Sequence, residues 1–432
     1  MNNKTQRPFV LATSLGAGAL AIALAGCSVT GGSSAGDSGD GSGVVSALVM
    51  QQAGYTEEDY AEIIEQFESA HPDITVEPTF VSYEALHDKI VTSAPAGTYD
   101  VVMIDVIWPA EFASTGIIAD ITDRIPESWS EEMFPGVLTT AEYRDRYYGV
   151  PLGPATKFFN YNTDMVEAVG ATEEDLATWD GVLDVARKIK AAGISEYPIA
   201  WSWSQSEALI CDYAQLLGAF GGEFTDEDGQ LIINNEAGVE TLEWMKATLD
   251  EGLSNPASTT FLEDGVLKAL AQGETAFGLL WDAMLRDVRD PEISTIADAS
   301  GVLPTPAGPS GERPGVNGSM AYSVAATSDN QDAAWEFVEF ITSQTTQDQF
   351  VESTMPSWKS TYENEELIAA NPDLFEVASV AYETSVLRPT VPNYPSVSQI
   401  IQVELQNALL GAKTPQQAMD DAVAAANATL ED

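Results

Sequence analysis

The chain has 432 residues, of which 44% are hydrophobic and 9% aromatic, so it can bury a large core; at roughly 100–200 residues per domain it points to two lobes rather than one. Sixty-seven acidic residues against 18 basic ones give a formal charge of −49, which repels phosphate backbones and anionic headgroups and excludes nucleic acid as an expected partner.

The first predicted element is a leader. "MNNKTQRPF" supplies a short positive segment and "VLATSLGAGALAIALAG" an apolar stretch ending in small residues, which together predict a secretory signal peptide over 1–26. The run ends in "LAGC", which resembles the lipobox of bacterial lipoproteins, whose cysteine, here Cys27, receives the lipid. Residues 27–43, rich in Gly, Ser and Asp, read as a flexible tether. Cys211 is the one remaining cysteine, so no intrachain disulfide is expected and this thiol reads as a small buried hydrophobe.

"VVSALVM" predicts a first strand, Val44–Met50. A helix follows from about Thr56, with Tyr60, Ile63, Ile64 and Phe67 at helical spacing and Glu57, Glu58 and Asp59 at the positive end of its dipole. "HPDITVEPTFV" reads as a second strand, Tyr83–Val91 as a second helix, and "YDVVMIDVI" as a third strand. This β-α-β-α-β order implies a parallel sheet, and in open sheets of that kind ligands bind beyond the carboxyl ends of the strands. Asp105 and Trp108 stand at such an end, and a carboxylate in so apolar a run needs a polar partner.

The Gly/Pro-punctuated "DRYYGVPLGPATKFFNYNTDMVEAVG" reads as a crossing into a second set of elements. Helices are expected at Trp179–Ala191 and Glu207–Phe220, then a hairpin turning at "DEDG". That turn is not a calcium loop, because Ala237 stands where loop position twelve requires a bidentate glutamate. Asn234 or Asn235 can cap a helix running to about Asp250. "DAAWEFVEFIT" and the Ala-rich "TPQQAMDDAVAAANATL" are later helices.

No HExxH, GxSxG, Walker or GxGxxG motif is present, and the two histidines, His71 and His87, fall in surface-type settings. No metal or cofactor is therefore expected, and no catalytic constellation. Paired carboxylates for glycoside hydrolysis are the remaining enzymatic alternative. The chain instead carries aromatics beside polar groups at predicted strand ends and loops, including Tyr55, Trp108, Trp201, Trp203, Trp281, Tyr322, Trp358 and Tyr394. Flat rings suit the C–H faces of sugars, and carboxylates or arginine suit their hydroxyls.

Five segments carry a resemblance over the mature chain: "YDVVMIDVIWPAEFASTGIIADIT", "YYGVPLGPATKFFNYNTDMVEAVG", "ALAQGETAFGLLWDAM", "GSMAYSVAATSDNQDAAWEFVEFITS" and "RPTVPNYPSVSQI". In this order they resemble the extracellular solute-binding proteins of carbohydrate ABC importers, the maltose- and trehalose-binding group. The resemblance implies an α/β, two-lobe, periplasmic-binding-protein-like (type II) fold, with the ligand cleft between lobes and crossing hinge strands. It places one lobe at 44–151 and 322–360 and the other at 152–321 and 361–432. It implies ligand contacts from Asp105, from Trp281 as a stacking platform and from Arg388, with Tyr55 and Glu57 in the first strand-to-helix loop and Trp203 in a further aromatic loop. Trp108, Gly318, Met320 and Tyr394 complete the expected set.

Two positions depart from the family pattern. Met320 stands where trehalose-type receptors carry a tryptophan, and Ala155 or Thr156 where maltose-type receptors carry a glutamate. The reading is a monomeric, lipid-anchored receptor outside the cytoplasm that delivers a di- or oligosaccharide to an ABC permease. A receptor for a non-sugar solute is the other alternative to the hydrolase.

Overall fold

The computed structural model describes residues 43–51, 54–134, 137–226, 229–382 and 385–430. The leader, Cys27 and the tether up to residue 42 lie outside the described residues.

Strands β1 (Gly43–Met50), β2 (Ile74–Val81) and β3 (Val101–Asp105) run parallel, with helices Glu57–Ala70 and Tyr83–Ser93 in the crossovers. The first helix starts where its sequence can satisfy its own backbone. Thr56 Oγ1 accepts from the Asp59 N–H at 3.0 Å, and Asp59 Oδ2 accepts from the Thr56 N–H at 2.7 Å. Tyr60, Ile63 and Phe67 are buried against the sheet, and every residue of β3 is buried. β3 ends at Asp105, two residues short of the expected apolar run. There the Trp108 N–H turns back to the Asp105 carbonyl, and Pro109 opens the helix Pro109–Thr115.

A small hairpin, β4 (Glu142–Tyr143) and β5 (Arg146–Tyr147), precedes β6 (Val150–Pro151). The chain then passes to a second sheet, beginning with β7 (Lys157–Asn162) and followed by β8 (Ile199–Ala200), β9 (Phe277–Trp281) and β10 (Ser300–Leu303). β11 (Gly315–Val316) leads back to β12 (Met320–Val324), which joins the first sheet antiparallel to β3 with Met320 opposite Asp105. β13 (Ser385–Val386) later pairs with β11. The strand orders are β2-β1-β3-β12-β6 in one sheet and β10-β7-β9-β8 in the other.

Each sheet has its own apolar core. Val45, Leu48, Phe67, Ile104, Tyr322 and Phe337 belong to the first, and Phe159, Trp179, Trp201, Leu216, Met245 and Phe277 to the second. The C-terminal helices Tyr394–Leu409 and Pro415–Leu430 close the second core through Ile401, Leu405, Met419 and Ala422. The chain thus adopts the two-lobe α/β fold with crossing strands that its sequence implied. One local expectation shrinks: the "DEDG" hairpin is a single bridge, Thr225 to Leu231, not a pair of strands.

Candidate ligand-binding cavity

The strands of both sheets end around one cavity of about 510 Å³, within the size range of small-molecule sites. Met50, Leu152, Met284 and Met320 give it apolar walls, and carboxylates, one guanidinium and one indole supply its chemistry.

Asp105 stands at the first-sheet side. Its Oδ1 accepts from Arg388 Nη2 at 2.8 Å and from the Ile107 N–H at 3.3 Å, and its Oδ2 accepts from the Tyr83 hydroxyl at 2.8 Å. Burial pushes this carboxyl up from its ordinary range, and Arg388 draws it back. The carboxylate in the apolar run thus has the polar partners it needs, in Arg388, Tyr83 and the Ile107 N–H. Arg388 also donates through Nη1 to Glu207 Oε1 at 2.8 Å and through Nη2 to the Asn317 carbonyl at 3.2 Å. Glu207, in the first turn of the helix Glu207–Ala219, further accepts from the Tyr394 and Ser398 hydroxyls, each at 2.5 Å. One buried cation thus joins a first-sheet strand end, the segment before β12 and a helix of the second core. Its Nε has no hydrogen-bond partner.

Trp281 ends β9 on the opposite wall. Its indole N–H donates to Glu263 Oε1 at 3.1 Å, and Lys157 Nζ lies 5.1 Å from the ring centroid. Lys157 is itself fully buried, held by Asp212 at 2.7 Å, Ser202 at 2.9 Å and Glu263 at 3.2 Å. Burial drives its ammonium down, but the Asp212 and Glu263 carboxylates more than offset that and keep it charged. Gly318 completes the support, because a Cβ there would sit 2.2 Å from the Trp281 ring. The next residue, Asp282, is buried and lines the cavity; burial pushes its carboxyl up to about 6. The lining thiol of Cys211 is pushed up to about 12 by burial, so it stays protonated.

The structure therefore gathers Asp105, Trp281, Arg388, Gly318 and Met320 around one space. The other expected contacts lie elsewhere. Trp203 is sealed in the second core, stacked on Trp201 at 4.9 Å. Tyr55 is sealed in the first core, edge-on to Tyr60 and Phe350. Glu57 points to solvent and accepts from Gln51. Trp108 stacks on Tyr83 and Tyr394 donates to Glu207, so each lies behind a lining residue rather than on the wall. Sequence reasoning missed Tyr83, Glu207, Glu263 and Asp282. Asp282 and Glu207 left a usable signal, an acid directly after a strand end and an acid opening a helix; Tyr83 and Glu263 left none. His71 and His87 pair with Glu336 and Glu111. Among the described residues, no cluster of His, Cys, Asp and Glu is arranged to hold a metal, and no helix is long and apolar enough to cross a membrane.

Comparison with known proteins follows the same lines. The maltose-bound MalE3 of T. maritima superposes with a TM-score of 0.82 at 28% identity, covering 90% of this chain and 100% of that one. A protein of Deinococcus radiodurans named as an ABC transporter-binding protein is 26% identical over 335 residues, 74% of this chain and 78% of that one. The arabinooligosaccharide-binding protein of Bacillus subtilis (strain 168) is 24% identical over 244 residues, 55% of this chain and 54% of that one. Residues 53–348 match the family model described as bacterial extracellular solute-binding protein, and the chain belongs to that family.

Proposed function

We propose that this protein is the lipid-anchored receptor of an ABC importer for a di- or oligosaccharide. The observation that carries the reading is the shared cavity, in which the Trp281 indole faces a polar wall of Asp105, Arg388 and Glu207. An aromatic face beside charge-assisted hydrogen-bonding groups is the chemistry a sugar ring needs. The likeness to a maltose-bound receptor and to an arabinooligosaccharide receptor supports a carbohydrate ligand, and the transporter-binding relative supports delivery to a permease. The lobes, taken as 44–151 with 322–360 and 152–321 with 361–432, close on the ligand about the crossing segments, and Cys27 holds the receptor at the outer face of the membrane. The protein performs no chemistry on its cargo.

Titration calorimetry over a glycan panel tests this directly. At least one di- or oligosaccharide should bind unaltered, and Trp281→Ala should weaken it at least tenfold while the circular dichroism spectrum is unchanged. A glycan recovered as hydrolysis products would instead favour a hydrolase.

A further inference from the structure

Most of the buried charge around the cavity falls into two sets, each of two carboxylates on one cation, with one exception. Asp105 and Glu207 share Arg388, and Asp212 and Glu263 share Lys157. Among the described residues, Asp282 shares no cation. Its residue is only 7% exposed, and its two oxygens meet neutral donors: the Tyr382 hydroxyl at 2.7 Å and the Ala283 N–H at 2.9 Å. From the segment that packs against it, Tyr382 and Tyr362 face it, and both are phenols. The cations nearest in sequence are engaged elsewhere, Arg286 with Asp287 and Ser353, and Arg289 with Asp373. Lys157, from the neighbouring strand, is held by Asp212 and Glu263. Glu84 and Asp264 at the mouth add further negative charge.

A carboxylate taken out of water without a cation is costly, and the cost falls if the missing cation arrives with the ligand. A neutral hydroxyl could only hydrogen-bond to it. We infer that Asp282 is the charge-selecting group of this cavity, and that the preferred ligand carries a protonated amine among its hydroxyls: an amino or imino saccharide. This rests on the carbohydrate reading above and narrows it.

The test is a set of matched pairs titrated at pH 7.5 and low salt: cellobiose against fully deacetylated chitobiose, maltotriose against an oligosaccharide with an internal secondary amine, and a wider panel of neutral and amine-bearing glycans. The expected result is an amine-bearing glycan that binds at least tenfold tighter than its neutral counterpart. Asp282→Asn, checked for an intact melting transition, should lower the amine ligand's affinity about tenfold and erase that preference. With the unmodified protein, the preference should shrink as pH is lowered from 7.5 to 4.5 and Asp282 takes up a proton. If neutral glycans bind and no amine-bearing one binds better, or if Asp282→Asn keeps the preference, the inference fails while the carbohydrate reading stands. If no glycan of either kind binds, both fail.

Discussion

Asp282 shows what a cavity demands of one residue. A packed core would not retain a carboxylate whose buried partners are all neutral, because the same shape as an amide would be cheaper at neutral pH. Its carboxyl titrates near 6 when folded, above the usual range for aspartate, so the folded state holds a proton that the unfolded chain releases. Its favourable contribution is therefore complete below about pH 4 and is lost as pH rises toward and through 6. Asp282→Asn should accordingly stabilise the protein at pH 7.5, on the order of 1–2 kcal/mol, with no gain at pH 4. Urea unfolding at the two pH values measures this; equal effects at both would refute it. Lys157 makes the opposite case. It is sealed from solvent with Asp212, and Lys157→Met leaves that carboxylate without its cation. We expect a loss of about 3–5 kcal/mol and, because the indole loses a neighbour, a shift in Trp281 emission. A loss under 1 kcal/mol would mean the pair is not buried as described.

At the scale of elements, local chemistry governs where helices begin and tertiary contact governs where side chains point. The helix Glu236–Asp250 starts at Asn235, whose Oδ1 accepts from the Gly238 N–H at 3.0 Å. Asn235→Ala should cost about 1 kcal/mol by loss of that cap, read as a lower urea midpoint, while Asn234→Ala, on the other candidate, should cost less. An equal cost for both would contradict the assignment. The crossing segment before β12 is more exacting. Gly318 lies against the Trp281 ring, so Gly318→Ala must push the indole off its position between Glu263 and the cavity. Its effect should appear as weaker ligand binding with little change in unfolding midpoint; unaltered affinity would show that Trp281 can adjust. The aromatic positions make the general point. Trp203 and Trp281 are both tryptophans at the ends of apolar strand-like runs, and nothing local separates them. One is sealed in the second core against Trp201 and the other ends β9 at the cavity, a difference made by which distant segments cover each.

Over the whole molecule, Arg388 is the tie. Through it a strand end of the first sheet, the segment at Asn317 and a helix of the second core share one guanidinium. This links the two walls of the cavity. Arg388→Met removes the link and leaves two carboxylates facing each other, so small-angle scattering should show a larger radius of gyration than for the unmodified protein. Equal radii would mean the walls are held by packing alone.

The sequence by itself determined the parallel β-α-β-α-β start, the capped helices, a crossing within "DRYYGVPLGPATKFFNYNTDMVEAVG" and the presence of Asp105 and Trp281 at strand ends. These follow from periodicity, caps and apolar runs, which act over a few residues. Only the tertiary structure decided that Asp105 is paired with Arg388 across 283 positions of chain, that Glu207 and Asp282 face the same space, and that Tyr55 and Trp203 do not. Ion pairing and enclosure depend on which distant segments come together, and a short stretch of sequence carries no record of its remote neighbours.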